Sequence, residues 1–397
     1  EILAKDKLSP QSRFYGGVNY IEMAVDSQLV FNQSIDKINI ARSRTIFTLM
    51  DFKTLRNHGA RFYKLYVDDG NDLNFYTKSP GNGKIRVVPG KDRFVRITMK
   101  DSYGNASNVS FQLKSIQPSK EAKFLEPMKE PITYDLLENV LMVSAQPCAS
   151  DSNNAAIYAG GVSKSLEPNY ANSERAVYLI DLTRDMPDSV VVCGHTVAPG
   201  FKASVPSSRE YQYYSDMVDI EFPANALYDT LYLNISQWDT DDSSMVYTIG
   251  SATVPLDKSI RVSLRPAHIS AWDKRLAVYR VDGRSLAYLG GKWENGGVHF
   301  TTREFGNFII LRDTVAPVIK PAVVNAAAAR FRIHDDLSGI AKFEATVNGK
   351  WLLMMYDSKS NTISSQKLNK AEPLKGDFKL TVTDFAGNTS TFTARIP

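Results

Sequence analysis

The chain has 397 residues, 43% of them hydrophobic and 23% charged, with 47 Lys and Arg against 43 Asp and Glu for a net charge of +4. That length exceeds a single hydrophobic core, which stops growing at about 250 to 300 residues, so two to four domains are expected. Ordinary hydrophobicity excludes disorder, evenly spread charge argues against nucleic-acid binding, and the lack of an apolar run of about 18 residues excludes a transmembrane segment.

The chain opens on Glu1, so its natural N-terminus is expected upstream, and the lack of a signal peptide does not make it cytoplasmic. Ile2-Leu3-Ala4 reads as a short strand, and the run Ile21 to Asp26 follows it. A helix is expected after Asp51 as N-cap, with Phe52 and Leu55 as its buried stripe and Gly59 as its stop, inserted within a β module. Asp69-Gly70-Asn71-Asp72 suits a turn needing positive φ. A strand from Val95 to Met99 precedes the phrase Asp101-Ser102-Tyr103-Gly104-Asn105-Ala106-Ser107.

Beyond a Pro- and Lys-bearing linker at Ser115 to Pro127, strands are expected at Val140 to Ser144, Ala176 to Leu182 and Val190 to Cys193, then from Val218 to Leu311. Val218, Ile220 and Phe222 alternate with Asp219 and Glu221, and Leu231, Leu233 and Ile235 continue the period of two. Asn295-Gly296-Gly297 marks another tight turn, and Asp313-Thr314-Val315-Ala316-Pro317 a second linker. Only strands follow, including Phe378, Leu380 and Val382 alternating with Lys379 and Thr381. The expected fold is all-β, of tandem immunoglobulin-like β-sandwich modules, with such sandwiches at 1–117 and 313–397 and a central β region at 118–312. The middle region reads as one unit or as two sub-domains divided near 206–216.

The two ends repeat each other. Asp6-Lys7-Leu8-Ser9, Gly17-Val18 and Ile21 to Asp26 match Asp335-Asp336-Leu337-Ser338-Gly339-Ile340 and Phe343 to Asn348, with a loop at 10–16 in the first copy. Each copy closes on one D-x-x-G-N-x-S phrase, Asp101, Gly104 and Asn105 answering to Asp384, Gly387 and Asn388. One shared sandwich topology follows, pairing Gly104 with Gly387 and Val25 with Val347. The phrase reads as a structural turn, because each copy offers one carboxylate where calcium takes about six to eight oxygens. The later copy has an opening strand in Val315 to Val324, and no equivalent precedes Ile2-Leu3-Ala4. A longer parent that completes the first module is therefore expected.

Chemistry is sparse. Among His58, His195, His268, His299 and His334 no metal-binding spacing occurs, so no catalytic, metal or cofactor-binding residue is expected. Cys193 and His195 form a C-x-H pair, but residues two apart in a strand need not touch, and a buried thiol or a Cys148–Cys193 disulfide is the plainer explanation of the cysteine. The acidic loop Asp239 to Asp242 lacks the glycine and distal glutamate of a calcium loop. Tyr211, Tyr213, Tyr214, Trp293 and Trp351 serve either as packing or as sugar-stacking faces.

Several phrases together resemble the C-terminal, non-catalytic half of lysostaphin-type (LytM-like) zinc metallopeptidases of Gram-negative envelopes. They are Val25-Asp26 with the Asp101-to-Ser107 turn, Phe222-Pro223-Ala224-Asn225-Ala226-Leu227-Tyr228-Asp229, Val254-Pro255-Leu256, Leu289-Gly290-Gly291-Lys292-Trp293, Arg303-Glu304-Phe305-Gly306, and Asp313 to Pro317. The resemblance implies a non-catalytic accessory region in the cell envelope, with zinc confined to an upstream domain that carries H-x-x-x-D and H-x-H motifs and cuts peptidoglycan cross-links. The implied partners are that peptidase domain, peptidoglycan or other envelope proteins. A stand-alone surface adhesion or glycan-binding protein is the alternative.

Overall fold

Period-two alternation builds most of the molecule. In the strand Tyr20–Val25, Ile21, Met23 and Val25 face inward, and in Gly376–Asp384, Phe378, Leu380 and Val382 do the same. The computed structural model describes residues 1–7, 9, 11–77, 79–88, 90–114, 128–148, 153–240, 244–266, 269, 273–369 and 371–397. The linker at Ser115 to Pro127 lies outside the described residues, as do Leu8, Asp241, Asp242 and His268. All sheets are antiparallel, and the strands group into four modules.

The first module carries a sheet in the order Gln28–Ser34, Tyr20–Val25, Arg93–Lys100, Ala106–Leu113. The fourth carries its equivalent, Lys350–Leu352, Ile340–Val347, Gly376–Asp384, Thr389–Ile396. Strand order, hairpins and register correspond: Val25 faces Gln28 across Asp26-Ser27, and Val347 faces Lys350 across Asn348-Gly349. Lys100 pairs with Ala106 as Thr383 pairs with Thr389, which places Gly104 at the position of Gly387.

The second sheets differ. In the fourth module it has four strands, Val318–Val324, Ala329–His334, Thr362–Ser365 and Met354–Asp357. In the first, Ile2–Leu3 pairs only with Phe62–Tyr63, and a helical segment fills the space between the shared strands. One sheet is therefore common to both modules and the other is not. The physical reason is the helical insertion, whose Ile46, Leu49 and Met50 supply apolar side chains to the first core. The turn at Ile40–Thr45 and the short helix Ile46–Leu49 carry no sequence signal, since each is too brief to show a period.

The helix Phe52–His58 forms as expected, with the Asp51 side chain accepting the Thr54 N–H at 3.0 Å and Gly59 closing it at φ 67°. Its stripe is only half-buried, because Phe52 rests on Phe47, 4.9 Å between ring centroids, at the module's rim.

The middle region holds two modules. Residues from Ile132 to Val197 make two four-stranded sheets, and those from Phe201 to Arg312 make sheets of six and five strands. The dividing point precedes Phe201 and is not at 206–216, because Phe201–Val205 pairs with Leu231–Asp239 and so belongs to the later module. The strand Leu231–Asp239 keeps its alternation but buries apolar side chains on both faces. Leu231, Leu233 and Ile235 enter the third core, while Tyr232 points the other way into the second and donates its hydroxyl to Asn139 Oδ1 at 2.9 Å.

Candidate functional site

Three of the phrases singled out in the sequence converge in space on one face of the third module. Leu227 bridges Leu256, the Asp257 N–H donates to Ala226 O at 2.8 Å, and Arg303 Nη2 donates to Asp257 O at 2.7 Å. Segments far apart in sequence therefore hold the backbone of one residue, Asp257, which is only 8% exposed.

The first module docks on this face through its helical insertion. Arg42 Nη1 meets Asp257 Oδ2 at 3.2 Å while its Nη2 holds Asp72 Oδ1 at 2.6 Å, and Tyr228 donates its hydroxyl to Asp257 Oδ1 at 3.2 Å. Beside it, Arg44 Nε donates to Leu256 O at 3.1 Å. The hydrogen bond to Asp72 holds the Arg42 guanidinium above its usual range, and burial followed by the Asp257 charge pushes the Tyr228 phenol up. Gly70 completes the fit, for a Cβ there would lie 1.8 Å from Tyr228 O. Arg56 with Asp282 at 3.2 Å, and Lys84 with Glu138 at 3.8 Å, add contacts to the third and second modules. Sequence reading missed Arg42, Arg44 and Asp257. Gly70, Asp72, Tyr228, Leu256 and Arg303 stood inside recognisable phrases, whereas an arginine in an irregular segment carries no pattern.

The expected turn residues hold the two matching hairpins. Asp101 Oδ1 accepts the N–H groups of Tyr103 and Asn105 at 2.8 and 2.9 Å, and its Oδ2 takes Asn105 Nδ2 at 2.6 Å. Asp384 receives Asn388 N at 2.7 Å and Nδ2 at 2.8 Å. The second copy does more than turn the chain, since Asn388 Nδ2 also lies 3.2 Å from Asp313 O in the linker. It thereby brings Asp313, Asp335 and Asp384 together, the one group of this kind among the described residues, with ligand atoms all within 4.8 Å of one another. Taking each phrase alone, as the sequence invites, undercounts these carboxylates.

Cys148 and Cys193 form a disulfide with Cα atoms 5.4 Å apart. Cys193 and Gly194 make the tight turn between Ser189–Val192 and His195–Val197, so the C-x-H pair sits on a hairpin tip and not along one strand. With its sulfur bonded, Cys193 offers no thiolate nucleophile. His58 closes its helix, His195 is exposed, His299 Nε2 sits 3.1 Å from Glu294 O, and His334 Nε2 lies 3.5 Å from Asp336. Tyr211, Tyr213 and Trp293 pack on the third core, whereas Tyr214 and Trp351 face solvent.

Comparison with known proteins gives one family match: residues 202–313, the third module, match the Zu5-like domain family. This is a non-catalytic type of domain, and nothing in the comparisons points to an enzyme. No curated protein matches the chain. One solved structure, from a study of host cell surface retention of a 1.5-MDa bacterial ice-binding adhesin, aligns over 83% of this chain and 85% of that one at 11% identity. Its TM-score of 0.14 is too low to bear on fold or function.

Proposed function

We propose that this chain is a non-catalytic positioning region of a bacterial cell-envelope protein, four β modules clamped into one body that sets a neighbouring domain at a fixed place. The observation that carries this reading is the docking of the first module on the third, with Arg42 meeting Asp257 across 215 positions of sequence. Modules joined only by linkers move freely by default, whereas an interface with a shared, largely buried carboxylate fixes their angle. The Cys148–Cys193 disulfide fits an oxidising, extracytoplasmic compartment. On the third module the docking face includes Tyr228, Leu256 and Arg303, which lie in phrases that resemble the lysostaphin-type peptidase region, so the neighbour we propose is a zinc peptidase domain acting on peptidoglycan cross-links.

The test is cross-link cleavage by this chain and by the full gene product. Expected is no cleavage by the chain alone, and cleavage by the full product that falls when Asp257→Arg breaks the docking. Cleavage by the chain alone, or a gene without H-x-x-x-D and H-x-H motifs, overturns the proposal. A second reading, adhesion to glycans, is favoured by Trp351, 62% exposed on the edge strand Lys350–Leu352. Glycan binding lost on Trp351→Ala, in a parent without the peptidase motifs, would establish it.

A further inference from the structure

The junction between the third and fourth modules gathers negative charge without a visible counter-charge. Asp313 comes from the linker, Asp335 from the turn after Ala329–His334, and Asp384 from the hairpin before Thr389–Ile396. Asp313 and Asp384 are buried, at 1% and 2% exposure. Among the described residues no Lys or Arg forms an ion pair with any of the three. Lys274 Nζ lies beside Gly387, in the turn that follows Asp384, without pairing with any of the three. Three carboxylates packed this closely in a buried place repel one another and demand a positive partner.

A second, independent feature points into the same space. Tyr279 of the third module is fully buried, and its hydroxyl has no hydrogen-bond partner. Burial raises this phenol most, followed by the Asp313 charge, with Asp335 and Asp384 contributing too. Ser338 is only 2% exposed and its Oγ is likewise unpartnered, while its N–H donates to Asp313 Oδ2 at 3.1 Å. Buried hydroxyls without partners are rare in folded proteins and call for an explanation. A cation or its bound water would satisfy both.

We infer that Asp313, Asp335 and Asp384 bind one calcium ion, with the Ser338 and Tyr279 hydroxyls completing its surroundings, and that the ion pins the fourth module to the third. Oxygen ligands about 2.3 to 2.6 Å from an ion lie no more than about 5 Å apart, which the 4.8 Å limit on this cluster satisfies. The donor set is all oxygen, which suits a hard cation and not zinc or copper. Backbone N–H groups already orient the carboxylates: Leu337 and Gly339 donate to Asp335 Oδ2 at 3.2 and 2.7 Å, and Val315 to Asp313 Oδ1 at 3.1 Å. The surroundings belong to both modules, since Leu337 packs on the apolar cluster of Tyr279, and Phe385 stacks on Tyr288 with ring centroids 5.0 Å apart. This inference does not depend on the proposed positioning role.

The experiment is calorimetric titration of calcium into the chelator-treated chain, with spin-label distances measured between the third and fourth modules. Expected is one ion per chain, an affinity at least about tenfold weaker in Asp335→Asn, and a distance distribution that narrows with calcium. Asp335 is the least buried of the three, so this variant should fold, which circular dichroism checks. Asp101→Asn, in the matching turn of the first module, should leave binding unchanged. No binding at millimolar calcium, equal affinity in Asp335→Asn, or a distance distribution insensitive to calcium overturns the inference.

Discussion

At Asp101 a single carboxylate closes a hairpin by accepting three hydrogen bonds, and the Asn105 side chain is the largest influence holding it below the usual carboxylate range. A group whose folded pKa is depressed contributes stability that is present above its unfolded value of about 3.9 and is lost as pH falls through the folded value. We therefore expect the first module to loosen below about pH 4, and Asn105→Ala to move the Asp101 titration, followed by NMR, upward. An unchanged titration would show that the backbone donors alone set it. Gly70 and Gly59 offer a cleaner contrast. Both have positive φ, but a Cβ at Gly59 meets nothing within 4 Å whereas one at Gly70 meets Tyr228 O at 1.8 Å. Gly59→Ala should cost about 1 kcal/mol, and Gly70→Ala about 2 kcal/mol or more with loss of docking, as read by urea unfolding.

Among the elements, the second module depends most on its covalent staple. The Cys148–Cys193 bridge closes a loop with a sequence separation of 45, for which loop entropy predicts a stabilisation of about 4 kcal/mol as an upper figure. Replacing both cysteines by serine should lower the unfolding midpoint of this module, with the third module, which has no cysteine, keeping its own. A reductant should reproduce the effect in the native chain and leave the double variant unchanged. The helix Phe52–His58 is short and half-exposed, so its Asp51 cap matters more than its packing. Asp51→Ala should cost about 1 kcal/mol and weaken the helical insertion that carries Arg42 and Arg44.

Across the whole molecule the third module is the hub, touching the first through Asp257, the second through Tyr232 and the fourth through Tyr279 and Leu337. The Asp257 carboxylate is largely buried while Arg42 is partly exposed, so removing Arg42 leaves a charge without compensation and removing Asp257 leaves Arg42 with Asp72. Asp257→Ala and Arg42→Ala should each destabilise docking, and their double-mutant cycle should show a coupling of about 1 to 2 kcal/mol. Small-angle scattering should show Asp257→Ala more extended than the native chain. An additive cycle with no extension would mean that the apolar and backbone contacts alone hold the modules together.

The sequence by itself determined the strands, their inward faces and the equivalence of the two end hairpins. These follow from local alternation and from turn residues whose conformational demands lie within a few positions of one another. It also showed the Asp51 helix, through its cap and stop. Tertiary structure alone decided which module the strand Phe201–Val205 joins, because pairing with Leu231–Asp239 depends on a partner some thirty residues away. It alone united Asp313, Asp335 and Asp384, and brought Arg42 to Asp257. Each of these residues looks like an ordinary solvated charge in its own stretch of chain, and only burial beside the others gives it a different energy.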